Sequence, residues 1–108
     1  MQDGLTLEIE KEAEGTVVRI KGEIDIFSAD GFKKRIYEVM QDDKRDLVFD
    51  CRNLKYIDST GLGAFVSFLK RSKQQGTNIK LNNVRSGVMK LFVITGLDRI
   101  IDMEKEVV

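Results

Sequence analysis

The chain has 108 residues, of which 42% are hydrophobic and 33% are charged, and its eighteen basic side chains balance eighteen acidic ones. This length predicts one domain with one modest core, and the balanced charge argues against nucleic acid or anionic lipid as the main partner. Histidine is absent and Cys51 is the single cysteine. These two facts exclude Ser-His and Cys-His catalysis, histidine metal sites and internal disulfides.

The expected compartment is the cytoplasm. No apolar run approaches the ~20 residues of a membrane span, and the first residues, MQDGLTLEIE, lack the basic start and apolar stretch of a signal peptide. A lone cysteine suits a reducing compartment. Because Cys51 follows the apolar run LVF, we expect it to be a buried packing residue rather than a nucleophile.

The first predicted elements form a β-hairpin. Residues 5–10, LTLEIE, alternate apolar and polar side chains, as a strand with one solvent-facing side does. The segment KEAEG predicts a turn, and TVVRIKGEIDI then keeps the same period of two. Within this second strand, Gly22 predicts a bulge or a point where another backbone comes close.

Three helices are predicted after the hairpin. Ser28 is expected to cap the first helix, which runs to residue 41. The second begins within DSTG and stops at Gly76, and the third is expected to be capped by Ser86 and to stop at Gly96. Their apolar stripes are Phe32, Ile36, Val39 and Met40; Leu62, Phe65, Val66 and Leu69; and Val88, Met89, Phe92 and Val93.

Strands are predicted between these helices. The consecutive apolar residues 47–49 predict a strand covered on both faces that ends near Asp50. NIKLNNV alternates as a short strand, and RIIDME fits either a final strand or a helical tail. The order predicts an α/β fold whose mixed sheet runs mainly parallel after the hairpin. Helices are expected mainly on one face, because the first strand shows a polar side.

A site is expected where the second and third strands end, because ligands collect beyond the carboxyl ends of parallel strands. One loop at this edge holds residues 25–28 and the other holds residues 56–60. The topology therefore predicts that Asp25 and Asp58 lie near Ser59.

The segment IDSTGLGAF, residues 57–65, carries the chemistry of this edge. As a structural feature, Asp58 or Ser59 can cap the helix that follows. A cap does not explain Gly61 and Gly63, since each glycine costs roughly 1 kcal/mol in a helix. Paired glycines beside hydroxyl groups predict that something approaches the backbone closely.

Three functions are conceivable for this segment. A nucleotide site would use GLGAF, but Val66 stands at the third glycine position of a dinucleotide fingerprint and the P-loop lysine is missing. A hydrolase with Ser59 as its nucleophile would lack a histidine base. A phosphoacceptor fits better, because Ser59 at a helix start presents its hydroxyl group at the surface, and a phosphate there would add about −1.5 to −2 charge beside Asp58.

These residues also resemble a known family, the STAS-domain anti-sigma factor antagonists of bacteria, over nearly the whole chain. GEIDIFSAD, residues 22–30, is similar to the first signature, although Asp30 stands where proline is usual. YIDSTGLGAF, residues 56–65, resembles the phosphorylation motif, and TGLDRII, residues 95–101, resembles the usual C-terminal segment. The resemblance implies a single STAS domain over residues 1–108, with a four- or five-stranded sheet and helices mainly on one face.

The resemblance implies a regulatory protein and not an enzyme. It implies that Ser59 is phosphorylated by a cognate anti-sigma factor that is itself a serine kinase of the histidine-kinase-like ATPase fold. The unphosphorylated antagonist binds that kinase and frees the sigma factor, whereas the phosphorylated form cannot bind. A metal-dependent phosphatase of the PP2C type resets the switch. No cofactor and no bound metal are expected.

The residues expected to form the kinase-binding surface are Asp25, Phe27, Ser28, Asp58, Ser59, Thr60, Gly61 and Gly63. Thr60 is the alternative phosphoacceptor, and Phe27 fits a core position as well as a partner contact. Two other functions remain open at this point. One is a STAS scaffold or subunit of a stress-sensing or lipid-transport complex, and the other is a nucleotide-binding protein.

Overall fold

The computed structural model describes residues 4–107. It contains five strands, three α-helices and a short 3-10 turn at Leu97–Arg99. The strands are β1 (Leu5–Lys11), β2 (Gly15–Ile24), β3 (Asp46–Ile57), β4 (Ile79–Val84) and β5 (Asp102–Lys105). The helices are α1 (Ala29–Asp42), α2 (Ser59–Gln75) and α3 (Ser86–Thr95). Among residues 4–107, no helix combines the length and the apolarity that a membrane crossing requires.

The strands form one sheet in the order β1-β2-β3-β4-β5. β1 and β2 pair antiparallel as the predicted hairpin, and β2, β3, β4 and β5 pair parallel to one another. The predicted α/β fold with a mixed sheet is therefore confirmed. The end of the chain, for which the sequence allowed a strand or a helical tail, forms the short strand β5.

The core lies on one face of the sheet. Alternate strand residues are buried there against the helices, while the residues between them face solvent. Five aromatic rings fill the centre of this layer and meet mostly edge to face, the geometry that aromatic pairs prefer. They are Phe32, Phe49, Phe65, Phe68 and Phe92, each at most 1% exposed.

The third strand differs from its prediction. β3 does not end near Asp50 but continues to Ile57, and Val48 is only half-buried, so the strand is not covered on both faces. Three consecutive apolar residues were a misleading sign, because Val48 lies on the open face while Leu47 and Phe49 lie on the core face. The segment IDSTGLGAF therefore begins at Ile57, the last residue of β3.

The two serines predicted as helix caps differ in outcome. Ser28 occupies the predicted N-cap position of α1, but its side chain makes no cap hydrogen bond. The prediction for Ser86 is wrong, because Ser86 is the first residue of α3 and Arg85 holds the N-cap position. Val93 was also expected in the core, yet it is 53% exposed. The stops at Gly76 and Gly96 are confirmed, since both adopt a left-handed conformation at a helix C-terminus.

Gly22 confirms the predicted close approach. Its φ is 110°, and the β2–β3 register shifts between Gly22 and Glu23. A β-carbon added there would lie 1.7 Å from the carbonyl oxygen of Gly4, closer than any real contact allows. The irregularity lies two residues before the end of β2, next to the loop that was predicted to form part of the site.

Candidate functional site

Two loops meet at the carboxyl end of the parallel pair β2 and β3. Ile24 and Ile57 are the last paired residues of these strands, and both are buried. The backbone N–H of Asp58 donates to the carbonyl oxygen of Ile24 at 3.2 Å. The loop that follows β2 therefore starts beside the first residue after β3, and we call the edge formed by residues 25–28 and 58–63 the switch rim.

Asp58 caps α2, as one of the two sequence alternatives predicted. Its Oδ1 accepts the backbone N–H groups of Thr60 at 3.0 Å and Gly61 at 3.3 Å. The same oxygen accepts the hydroxyl group of Thr60. The hydrogen bond from the Thr60 hydroxyl, together with the backbone N–H groups, holds the pKa of the Asp58 carboxyl below its ordinary value.

The hydroxyl groups of the two candidate phosphoacceptors, Ser59 and Thr60, differ in their hydrogen bonding. Both Ser59 and Thr60 are exposed in the first turn of α2. The Thr60 hydroxyl is committed to Asp58. Within the described part of the chain, the Ser59 hydroxyl makes no hydrogen bond. Ser59 thus offers a free hydroxyl group at the surface, and Thr60 does not.

The two glycines of the segment also differ. Gly61 is buried, and a β-carbon there would lie 2.5 Å from Cγ1 of Ile57 and 2.8 Å from Cγ2 of Ile24. The close approach at Gly61 therefore comes from inside the molecule, which corrects the interpretation that an outside partner required it. Gly63 is exposed and has no atom within 4 Å of such a carbon. Of these two glycines, Gly63 leaves its backbone open to an outside partner and Gly61 does not.

Asp25 and Ser28 organise the loop after β2. Oδ1 of Asp25 accepts the backbone N–H groups of Phe27 at 2.9 Å and Ser28 at 3.0 Å. The Ser28 hydroxyl accepts the N–H of Asp25 and donates to the carbonyl oxygen of Glu23, both at 3.0 Å. Ser28 is 7% exposed, so its side chain holds the loop closed and offers little surface to a partner.

The tip of this loop is apolar and faces solvent. Phe27 is 89% exposed, which excludes the core position that the sequence left open for it. Ile26, part of the loop of residues 25–28 expected at this edge, is 67% exposed, although the alternation of EIDIF also fits a strand that continues. Tyr56, the residue before the last one of β3, is 49% exposed. Large exposed apolar side chains grouped in this way are typical of protein–protein contact surfaces.

The switch rim offers little to a metal ion or a nucleotide. Among residues 4–107, no group of three or more histidine, cysteine, aspartate or glutamate side chains is arranged to hold a metal. The backbone N–H groups of Thr60 and Gly61, which a phosphate at a helix start would use, already bind Asp58. A nucleotide held through GLGAF would have to displace that carboxylate.

Comparison with known proteins decides the family. The family model of the STAS domain matches residues 6–108 of the chain. The chain belongs to the STAS domain family. This confirms the resemblance of the three sequence segments.

Relatives of this STAS domain carry a consistent name. It is 35% identical to the anti-sigma-B factor antagonist of Bacillus subtilis over 99 residues, and these aligned residues make up 92% of this chain and 90% of the relative. It is also 35% identical over 80 residues to the anti-sigma-B factor antagonist of Staphylococcus aureus, covering 74% of each chain. The anti-sigma factor antagonist SpoIIAA from Bacillus, in its unphosphorylated form, has the same fold, with a TM-score of 0.78 at 19% identity over 94% of this chain and 90% of SpoIIAA.

Proposed function

We propose that this STAS domain is an anti-sigma factor antagonist switched by phosphorylation of Ser59. Its binding partner is an anti-sigma factor that is itself a serine kinase, and the unphosphorylated form binds that partner and frees the sigma factor. The observation that carries the proposal is the free, exposed Ser59 hydroxyl at the start of α2. The names of the Bacillus and Staphylococcus relatives support the regulatory part of it.

Ser59 is the better acceptor because its hydroxyl is available. Phosphoryl transfer needs an acceptor oxygen that can reach the γ-phosphate and give up its proton to a kinase base. The Thr60 oxygen would first have to break its hydrogen bond to Asp58, which also holds two backbone N–H groups. Phosphorylation at Thr60 would thus disturb the helix cap, whereas Ser59 can react with the cap intact.

The phosphate acts on binding through its charge. It adds about −1.5 to −2 charge directly beside Asp58, whose pKa lies below its ordinary value, so the carboxylate is ionised at neutral pH. Because Asp58 already takes the N–H groups of Thr60 and Gly61, the phosphate gains little neutralisation from the helix start. A partner surface that accommodates Asp58 and a neutral serine then meets a concentrated negative charge and is repelled.

The apolar loop tip supplies attraction for the unphosphorylated form. Ile26 and Phe27 expose large side chains within the switch rim, and Asp25 accepts a hydrogen bond from the backbone N–H of Phe27. Aromatic side chains that enter a partner pocket dominate many protein interfaces. In this arrangement Phe27 anchors the kinase, Asp25 and Ser28 hold the anchor in place, and Ser59 controls the charge next to it.

The protein on this proposal is a substrate and a binding switch, not an enzyme. It works in the cytoplasm, where the kinase and a PP2C-type phosphatase act on Ser59 in opposite directions. Asp58, Thr60 and Gly61 keep the acceptor at the helix start, and Gly63 leaves the next turn open for the partner to approach. No cofactor is required in this chain, because the kinase brings the ATP.

The test is phosphorylation by a serine-kinase anti-sigma factor from the same organism. We expect incubation with that kinase and ATP to add the mass of one phosphate group, and peptide mapping to assign it to Ser59. Ser59→Ala should abolish the addition, while Thr60→Ala, the matched control, should keep it. Phosphate mapped to Thr60 or elsewhere would contradict the assignment.

A further inference from the structure

β1 leaves one long edge of the sheet unpaired by the rest of the described chain. It is the first strand in the order β1-β2-β3-β4-β5, and it pairs with β2 along its whole length from Leu5 to Lys11. An edge of this length presents a row of backbone N–H and C=O groups that can pair with another strand. Which groups point outward follows from the pairing with β2.

The odd-numbered residues of β1 direct their backbone polar groups outward. The N–H of Glu23 donates to the carbonyl of Gly4, and the N–H of Glu12 donates to the carbonyl of Gly15, in the same register that pairs Leu7 with Ile20. Directly opposed residues of an antiparallel pair alternate between exchanging hydrogen bonds and exchanging none. Even-numbered β1 residues therefore bond to β2, which leaves the N–H and C=O groups of the odd-numbered ones pointing away.

The side chains of β1 divide in the same way. Leu5, Leu7 and Ile9 lie on the core face but are only half-buried, because the helix layer covers this edge incompletely. Thr6 and Glu8 lie on the open face and are exposed. The same odd-numbered residues thus carry both the outward backbone groups and the incompletely covered apolar side chains.

We propose that two copies of this chain associate by antiparallel pairing of β1 with β1, about a two-fold axis through Leu7. In this register Leu7 faces Leu7 of the second copy, and Leu5 faces Ile9. All of these residues have outward backbone groups, so they can exchange hydrogen bonds. Their apolar side chains fall on the same face of a continuous sheet and cover one another.

The side chains of β1 select this register over its neighbours. Shifting the axis to Thr6 would place Ile9 beyond the end of β1 of the second copy, with no apolar side chain of that strand opposite it. With Leu7 on the axis, Thr6 lies opposite Glu8 of the second copy on the open face, and no like charges meet. Shifting the axis to Glu8 places two glutamates directly opposite each other, and shifting it to Ile9 places Glu8 opposite Glu10. Like charges in directly opposed positions destabilise a strand pair. Sliding one strand by a single residue relative to the other would instead place core-face side chains opposite open-face side chains.

The first experiment changes the charge at Thr6 and measures self-association of the full chain by sedimentation equilibrium. Thr6→Glu places like charges opposite Glu8 twice in the dimer, so we expect dimerisation to weaken by roughly three- to tenfold. Thr6→Lys places opposite charges there and should strengthen dimerisation by a similar factor. The two substitutions should have opposite effects on the stability of the single chain, because Thr6 lies opposite Lys21 on β2. Glutamate there stabilises the fold and lysine destabilises it, so a change in folding cannot explain the expected changes in dimerisation.

The second experiment tests the register by cysteine cross-linking with diamide as the oxidant. Thr6→Cys and Glu8→Cys proteins should form a disulfide-linked heterodimer when mixed, while neither should cross-link efficiently alone. Native Cys51 is buried, and burial raises the pKa of its thiol, so it does not compete. Glu8→Cys cross-linking to itself would overturn the register. A wild-type chain that is monomeric from micromolar to millimolar concentration would overturn the proposal.

Discussion

Gly61 and Ile57 lie so close together that there is no room for a side chain between them. A β-carbon on Gly61 would be 2.5 Å from Cγ1 of Ile57, and Ile24 lies almost as near. The first turn of α2 is thus pressed onto the last residues of β2 and β3, which fixes the height of Ser59 above the sheet. The glycine that weakens the helix start permits the packing that positions the acceptor.

Alanine substitutions at Gly61 and Gly63 should change the free energy of unfolding in opposite directions. Gly61→Ala should lower the free energy of unfolding by about 1–3 kcal/mol, because overpacking outweighs the gain in helix propensity. Gly63→Ala has open space around it and should raise the free energy of unfolding by about 0.5–1 kcal/mol. Urea unfolding followed by circular dichroism measures both. Equal signs for the two variants would contradict the packing described for Gly61.

Removing the cap of α2 should destabilise the fold moderately. Asp58→Ala leaves the N–H groups of Thr60 and Gly61 without their acceptor, and we expect a loss of about 0.5–2 kcal/mol. Asp58→Asn is the matched control, since its amide oxygen can still accept these bonds. Thermal and urea unfolding of both variants provide the comparison. An Asn variant as unstable as the Ala variant would mean that the charge, and not the cap, matters.

Phe27 should matter for binding and not for stability. Its side chain is 89% exposed, so Phe27→Ala removes almost no contact within the chain. If it enters a pocket of the kinase, the change should weaken binding by about 2 kcal/mol, which calorimetry can measure. Ile94→Ala on α3, with a side chain 70% exposed, is the control and should leave kinase affinity unchanged.

Acid should destabilise the loop between α1 and β3, because Asp43 in that loop becomes protonated. Hydrogen bonds from Arg45, which lies 2.7 Å away, and from Thr16 lower the pKa of Asp43 to about 2. A carboxyl whose pKa falls on folding stabilises the protein above its unfolded pKa, and this contribution disappears as the pH drops from about 5 to 2. Asp43→Asn should therefore lower stability at neutral pH and flatten its decline in acid. Asp42→Asn, an exposed neighbour, should keep the wild-type profile of urea midpoint against pH.

The sequence predicted the order of elements well because the chain has strong local patterns. Period-two strands, apolar helix stripes and left-handed glycines at Gly76 and Gly96 act within a few residues. The predictions from the sequence failed at positions whose environment depends on tertiary contacts. Whether Val48 and Val93 are covered depends on which neighbours reach them, and the Ser28 hydroxyl closes a loop where its position predicted a cap.

The same distinction applies to the switch rim. Segment order and parallel strands predicted that Asp58 and Ser59 would lie beside the loop of residues 25–28. The sequence could not show that Gly61 meets Ile24 and Ile57, since those contacts join three separate elements. It also left the exposure of Ile26 open, because a strand that ends one residue earlier looks the same in its alternation.

A negative charge at Ser59 should weaken binding of the kinase. Ser59→Asp puts a carboxylate directly beside Asp58, and we expect at least a tenfold loss of affinity, about 1.4 kcal/mol, by calorimetry. Ser86→Asp is a matched control, because Ser86 is also the exposed first residue of a helix but belongs to α3. It should bind like the wild type. Equal affinity of the Ser59→Asp and wild-type proteins would show that charge at the helix start does not control this interaction.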